Sequence, residues 1–414
     1  MGSRHQDGRR CALAILFLCL LFDATLFAQK TEIEAFEKVD PYTKGERAAL
    51  DRAGYVNLGP FACSKHTSAE IVATLGDVPI IFIETAHFRL ASTLASYKPP
   101  GDRSEKEALE REFAELKKKL PKFKVPTKID PWLRAHLYAQ RLESLYADFA
   151  ARFGLRDDDF TAPTHTSSDG RAMGVGPYFG QKEKYFVLLS QTRSALGRYL
   201  KTYVGLENEY AYRAKYPDCY FFGANFEALK DGGRELDIAF YSSIAGAMAQ
   251  NFVDAFRDSN QAAPVWFGYG IAHYFGRNVD ARWNQWNAGG ETSPDDDKAW
   301  FWEPRVLGLV KNDVSPSWDA MMGWTTLEEI KPRDHMICWS RVDWMLSAKK
   351  SDARALLFGF SDALPGATGP ERSSAIRDQE LRAYQSVWKQ TPAEVERAWR
   401  TWIEKVYPKR EPER

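Results

Sequence analysis

The chain has 414 residues, of which 44% are hydrophobic and 14% aromatic, enough to form one substantial core or two packed subdomains. Lysine plus arginine and aspartate plus glutamate both number 56, so the formal net charge at pH 7 is zero. A neutral chain lacks the positive field that attracts nucleic acid or anionic lipid, and the composition therefore excludes function based on those partners.

The N-terminal residues 1–28 have the order of a secretory signal. Arg4, Arg9 and Arg10 precede the apolar run 11–22, and Ala28 provides a small residue for cleavage. The apolar run is short for a membrane span, and no second such run follows. We therefore expect a cleaved signal and a secreted or periplasmic protein, with an uncleaved N-terminal anchor as the alternative.

Three cysteines would remain after cleavage: Cys63, Cys219 and Cys338. An odd number permits at most one intramolecular disulfide, and the sequence does not identify its partners. Cys338 lies in an apolar helical run, which predicts a buried thiol rather than a reactive one.

Hydrophobic periodicity and turn residues predict mixed elements first and helices later. In chain order, we predict a helix over 44–53, a helix over 66–76, a strand over 78–90, helices over 104–120 and 131–153, a strand over 184–191, a helix over 192–203 and a strand over 219–228. From residue 235 the pattern is helical, apart from a loop over 278–299.

This order predicts an α+β fold, with a small twisted N-terminal sheet and its helices followed by a mainly helical C-terminal part. We expect an N-terminal extension over 29–77, a sheet subdomain over 78–234 and a helical subdomain over 235–410.

Two helical segments carry the most informative pattern. Residues 264–275 read PVWFGYGIAHYF, which resembles the P-x-W-L-x-E-G-x-A-x-Y helix of the gluzincins, the thermolysin-like metallopeptidases. Trp266, Gly270, Ala272 and Tyr274 match that helix. Tyr269 stands where the family has the Glu that is its third zinc ligand.

The preceding helix, over 238–256, would then carry the remaining zinc-site positions. Twenty residues before Tyr269, where the resemblance implies His-Glu-x-x-His-Gln, the chain has Ala245, Gly246, Ala249 and Gln250. Looser resemblances to the family occur in the segments 79–92, 336–346 and 391–407. Together they imply a zincin-like fold over about residues 79–407.

The chemistry of the family requires residues that these positions lack. Zinc needs lone pairs from His, Cys or carboxylate side chains, whereas Ala and Gly have none and Tyr is a poor substitute for Glu. No two of the seven histidines are three to five residues apart, so no other helical zinc pair is available. We therefore expect no bound metal, no cofactor and no catalytic residue of the peptidase type.

Each of these positions also has a simpler explanation. Ala245 and Ala249 form a small-residue stripe that is typical of close helix packing. Tyr269 and His273 share a helix face, and they either form an acid–base pair or fill the space that zinc would occupy. Gln250, Trp266 and His273 are the candidate residues of a retained cleft.

The segment 282–304 is a second candidate site. Four tryptophans bracket a run of three aspartates, so the loop could stack a sugar or bind Ca²⁺. The alternative is that the tryptophans are buried and the acidic turn is solvated, with Asp295 capping the next helix. The candidate ligand-binding residues are Trp283, Trp286, Asp295, Asp297, Trp300 and Trp302.

These observations favour a secreted, catalytically inactive metallopeptidase-like protein whose retained cleft binds peptide or another cell-envelope component. Two alternatives stay open: a hydrolase with a relocated, carboxylate-based site, and a carbohydrate-binding protein that uses the aromatic residues of 282–304.

Overall fold

A computed structural model of the chain describes residues 38–64, 66–76, 78–99, 101, 103–121, 123–160, 174, 176–233, 236–255, 263–283, 301–360 and 370–409. The expected signal, residues 1–28, lies outside these ranges. Residues Glu37–Arg414 group into one unit by their contacts.

The fold class is α+β, as predicted. The strands are β1 Ala62–Cys63, β2 His66–Thr67, β3 Ile81–Glu84, β4 Phe88–Ser92, β5 Tyr185–Ser190, β6 Tyr212–Lys215 and β7 Tyr220–Asn225. β1 and β2 form a small antiparallel pair. The other five form one sheet in the order β3-β4-β5-β7-β6. Its three central strands β4, β5 and β7 are parallel, and both edge strands, β3 and β6, run antiparallel to their neighbours.

Helices make up most of the rest of the described chain. The α-helices are α1 Arg47–Ala53, α2 Ser68–Thr74, α3 Arg103–Lys119, α4 Pro131–Phe153, α5 Arg193–Tyr199, α6 Asp237–Ala255, α7 Val265–Asp280, α8 Trp302–Lys311, α9 Trp318–Met321, α10 Pro332–Ala348, α11 Ala353–Phe360, α12 Pro370–Ala383 and α13 Pro392–Val406. Short 3₁₀ segments are Asp157–Phe160, Phe226–Gly232, Ala281–Trp283, Leu327–Glu329 and Lys350–Asp352, and π-helical turns are Leu200–Val204 and Tyr384–Trp388. Within the described residues, no helix is both long and apolar enough to span a membrane.

The structure differs from the predicted elements in three places. The single strand expected over 78–90 is the hairpin of β3 and β4, because Thr85 closes a turn through the bond from its N–H to the carbonyl of Phe88 at 2.9 Å. Strand β6 was not predicted. Helix α7 continues to Asp280, past the expected loop start at residue 278.

One face of the five-stranded sheet packs on residues from the expected N-terminal extension. Phe186 and Phe221 of the sheet belong to the same buried cluster as Cys63, Ile71 and Leu75. The segment that ends in α2 is therefore part of the core. Helix α2 begins in a capping box, in which Thr67 and Glu70 satisfy each other's backbone N–H groups.

A buried charge network holds the first turn of α6. Asp237, fully buried, accepts hydrogen bonds from Arg134 Nη2 at 2.9 Å, Arg141 Nη1 at 2.5 Å and the Tyr138 hydroxyl at 3.0 Å. The two arginines lower the pKa of Asp237 against the opposing effect of its burial, which is the largest contribution. A carboxylate at a helix N-terminus also complements the helix dipole. The network fixes where α6 begins and how it lies on α4.

Candidate functional site

Helices α6 and α7 pack closely along one stripe of each helix. Ser242 Oγ donates to the carbonyl of Gly276 at 2.9 Å, and Gln250 Nε2 donates to the carbonyl of Gly268 at 3.2 Å. Between these bonds lies Gly246, where a Cβ atom would lie 2.8 Å from the carbonyl oxygen of Ala272. The absence of a side chain at Gly246 is therefore what allows the two backbones to approach.

The predicted zinc-site positions of α6 lie in the core. Ala245 and Ala249 are both 0% exposed. Helical spacing places them on the stripe that ends at Phe252. The ring of Phe252 packs on Phe149 of α4 at 5.2 Å and on Tyr185 of the sheet at 5.0 Å. The two alanines therefore serve helix packing, and neither offers an atom that could bind a metal.

Tyr269 and His273 lie on a different flank of α7, against α10. The rings of Tyr269 and His335 meet edge-on, with centroids 5.8 Å apart. His273 Nε2 and His335 Nδ1 share a hydrogen bond of 2.8 Å, and His273 also packs edge-on against Trp302 at 5.1 Å. His273 is thus linked to a histidine of α10.

The surroundings of His335 favour its neutral form. Burial, followed by the positive charge that His273 can carry, lowers the pKa of His335 to about 2. One turn beyond His273, the guanidinium of Arg277 stacks 4.3 Å from the ring centroid of Trp302 and 4.6 Å from that of Trp339. Burial lowers the pKa of Arg277 to about 10, and Glu303 partly offsets that effect. Arg277 is thus a buried cation that two tryptophan rings enclose.

The three candidate cleft residues differ in their exposure and in their surroundings. Gln250 is half-buried beside Gly268, His273 is 3% exposed, and Trp266 is 0% exposed. Trp266 belongs to the C-terminal core, where its Nε1 donates to Glu380 Oε1 at 3.0 Å. Of the three, only Gln250 can meet a ligand at the surface.

The second candidate site is described only at its two ends. Trp302 is 9% exposed and packs between His273 and Arg277, so it contributes to the core, as the alternative explanation predicted. Trp283 lies beside the guanidinium of Arg282, at 5.5 Å. The remaining candidates, Trp286, Asp295, Asp297 and Trp300, lie outside the described residues.

Metal ligands do not converge in the described part of the chain. Among those residues, no group of three or more His, Cys, Asp or Glu side chains could hold a metal ion. Cys63, Cys219 and Cys338 are free and buried, and burial raises the pKa of each thiol. Cys338 is thus a buried thiol, as predicted.

The edge strand β6 is the feature that sequence reasoning missed. The N–H of Tyr216 donates to the carbonyl of Cys219 at 2.8 Å, directly after the register pair Lys215↔Tyr220. Bonded and non-bonded pairs alternate along an antiparallel ladder, so the N–H and C=O of Arg213 and Lys215 point away from β7. Among the described residues, β6 has β7 as its one strand neighbour.

This free edge lies beside the end of α6. Arg213 Nη1 donates to Asn251 Oδ1 at 3.1 Å and to Asp254 Oδ2 at 2.9 Å. Burial raises the pKa of Tyr269, and Arg213, Glu328 and Asp254 are the charges that modulate it. Asn251, which Arg213 contacts, follows Gln250, and Gln250 bonds to Gly268 beside Tyr269, so Arg213 and Tyr269 lie by the same part of α6. We name the half-buried residues Arg213, Gln250, Gly268 and Tyr269 the edge groove.

Comparison with family models, with curated proteins and with solved structures finds no match to this chain.

Proposed function

We propose that this is a secreted, catalytically inactive metallopeptidase-like protein that binds an extended peptide along β6, in the edge groove. The observation that carries the proposal is the outward direction of the Arg213 N–H and C=O beside half-buried Gln250 and Tyr269. A peptide strand can hydrogen-bond to such an edge and place alternate side chains toward the neighbouring helices.

The groove offers suitable groups on both sides of such a strand. Arg213 is held by Asn251 and Asp254, so the edge strand is fixed to α6 before any peptide arrives. On the other side, the Tyr269 ring is braced edge-on by His335. A pre-formed site of this kind loses less conformational entropy on binding than a mobile one.

The lack of catalysis follows from the residues at the positions that the gluzincin resemblance implies. Ala245, Gly246 and Ala249 supply no metal-binding atom, and a carboxylate at position 246 would have to pass within 2.8 Å of the Ala272 carbonyl. Without a metal-bound water or another activated nucleophile, the bound peptide would remain intact.

Two substitutions of one residue test the backbone contribution. Arg213→Pro removes the outward N–H, whereas Arg213→Ala removes the same side chain and keeps that donor. Proline is tolerated at an edge position whose N–H faces outward, so both variants should fold. The probe is a fluorescein-labelled positional library of N-acetylated, C-amidated hexapeptides, read by fluorescence anisotropy.

We expect Arg213→Pro to bind the selected peptides about tenfold more weakly than Arg213→Ala, because both variants lack the same side chain and only Arg213→Ala keeps the outward N–H. Mass spectrometry of the bound peptides should find them uncleaved. Equal affinity of the two variants, or no binding by the wild type, would rule out recognition along β6.

A further inference from the structure

A cavity of about 300 Å³ opens among α3, α4, α6 and α7. Each helix contributes one face: Glu112 from α3, Arg141 and Leu145 from α4, Tyr241 from α6 and Phe275 from α7. Close-packed protein interiors leave few voids larger than a water molecule, and this volume is in the range of small-molecule sites. The cavity is thus large enough for a ligand.

The cavity is separate from the edge groove. Phe275 packs on Phe149 of α4 at 5.4 Å, whereas Tyr269 and His273 pack on His335 of α10. The two regions therefore lie on opposite flanks of α7. Ligand binding in the cavity is independent of the proposed function.

One wall of the cavity is rigid, and its charges are balanced when Arg134, which also bonds to Asp237, is included. Arg141 is 3% exposed; its Nε and Nη2 donate to the two carboxylate oxygens of Glu112, each at 2.8 Å, and its Nη1 donates to Asp237 at 2.5 Å. The same guanidinium lies 4.7 Å from the centroid of Tyr241, whose hydroxyl donates to the Arg141 carbonyl at 3.2 Å. All three guanidinium nitrogens of Arg141 donate hydrogen bonds to protein carboxylates. This wall therefore shapes the cavity without offering a free charge to a ligand.

The floor of the cavity is apolar. Leu145 is 5% exposed and Phe275 1% exposed, and buried Ile238 and half-buried Val279 complete the lining. Aliphatic and aromatic surfaces of this kind favour the hydrocarbon or ring portion of a ligand, because its burial removes apolar area from water.

The rim carries one available charge. Asp148 is neutralised by Arg152, whose Nε lies 2.8 Å from its carboxylate. Arg111, by contrast, is exposed at the mouth and forms no ion pair with any described residue. Its guanidinium presents donors in a planar fork that matches a carboxylate.

We propose that this cavity binds a small carboxylate with an aromatic or branched aliphatic body. The carboxylate pairs with Arg111 at the rim, and the body lies against Tyr241, Leu145 and Phe275 on the floor.

Three probes of similar shape test which charge the cavity prefers. They are 3-phenylpropionate, 3-phenylpropionamide and 3-phenylpropylamine, each titrated into the protein by isothermal calorimetry. We expect the acid to bind about tenfold more tightly than the amide, and the amine most weakly, because only the acid gains the charge-assisted bonds to Arg111. Equal affinities for the acid and the amide, a preference for the amine, or no binding by any probe would each overturn the proposal.

Two variants locate the binding. Arg111→Gln should remove the preference for the acid, whereas Lys117→Gln, an exposed change on the same helix outside the cavity, should leave it intact. Val279→Trp fills the cavity from its half-buried rim and should abolish binding of all three probes while circular dichroism stays unchanged. Acid binding that survives both Arg111→Gln and Val279→Trp would place the ligand elsewhere and refute the assignment.

Discussion

At the scale of single residues, His335 is a histidine that folding holds in the neutral form. Its pKa falls from an ordinary value of 6.5 to about 2, through burial first and the nearby His273 second. The unfolded chain takes up a proton at this position below about pH 6.5, and the folded chain does not. Stability is therefore greatest above the unfolded pKa and falls as the pH drops from 6.5 toward 2.

We predict that His335→Gln will flatten this acid dependence. A single proton difference changes the free energy of unfolding by up to about 1.4 kcal/mol per pH unit. Glutamine keeps a neutral hydrogen-bonding group opposite His273 and does not titrate. Urea unfolding at a series of pH values between about 5 and 6.5 measures the slope, which should be smaller in the variant than in the wild type.

His87 provides a control, because the stability that it contributes depends on pH in the opposite direction. Its pKa rises to about 9, because hydrogen bonds to Asp157 and Glu143 outweigh the lowering effect of its burial. The stability that it contributes is complete below about pH 6.5 and is lost as the pH rises toward 9. His87→Gln should thus change the alkaline limb. If His335→Gln leaves the acid slope at its wild-type value, His335 is not the neutral group described above.

At the scale of elements, α6 and α7 each have a glycine near their contact. One glycine has no room for a side chain, and the other does. A Cβ at Gly246 would lie 2.8 Å from the Ala272 carbonyl, whereas a Cβ at Gly268 would meet no atom within 4 Å. We predict that Gly246→Ala will lower the free energy of unfolding by about 1–3 kcal/mol, because the helices must separate. Thermal and urea unfolding measure the change.

Gly268→Ala is the matched control, since it makes the same substitution on the partner helix. Alanine is about 1 kcal/mol better than glycine in a helix interior, so this variant should be slightly more stable than the wild type. Similar stability changes in the two variants would mean that intrinsic helix propensity, and not the close approach at Gly246, determines the result.

A comparison of the predicted and observed elements shows which sequence signals are enough to locate a helix or strand. The amphipathic pattern predicted helix α4 to about Phe153, and the structure ends it there, with Asp130 as N-cap and Gly154 as C-cap. The β3–β4 hairpin was missed because its turn has no Gly, Pro or Asn, and depends instead on the Thr85 side chain, which accepts a hydrogen bond from the N–H of Phe88. β6 was overlooked although Pro217–Asp218 before β7 is a hairpin signal.

At the scale of the whole molecule, the candidate site depends on contacts that no local pattern contains. His273 meets His335, and Arg213 meets Asn251, across long stretches of sequence. The helical segments predicted over 238–256 and 264–275 are both present, and they pack together. The sequence could not indicate that the two backbones approach most closely at Gly246, because that contact is with the carbonyl of Ala272 on the other helix.

Because α6 and α7 pack in this way, a variant with the zinc ligands restored tests how the two helices are arranged. The variant combines Ala245→His, Gly246→Glu, Ala249→His and Tyr269→Glu. Ala245 and Ala249 are fully buried, and Gly246 lies against Ala272, so three of the new side chains have no space in the present packing. We predict a lower melting temperature than the wild type and no stoichiometric zinc after dialysis, measured by thermal unfolding and inductively coupled plasma mass spectrometry.

The triple variant that keeps Gly246 separates the two causes, because it restores the three ligands without the clash at Ala272. It should still lack zinc if Ala245 and Ala249 face the core, since imidazoles introduced there cannot converge with position 269 on one ion. One chelator-removable zinc per chain, accompanied by a rise in melting temperature, would contradict the prediction. Such binding would mean that the two helices adopt the gluzincin arrangement, and that the chain lost its metal by substitution of ligands alone.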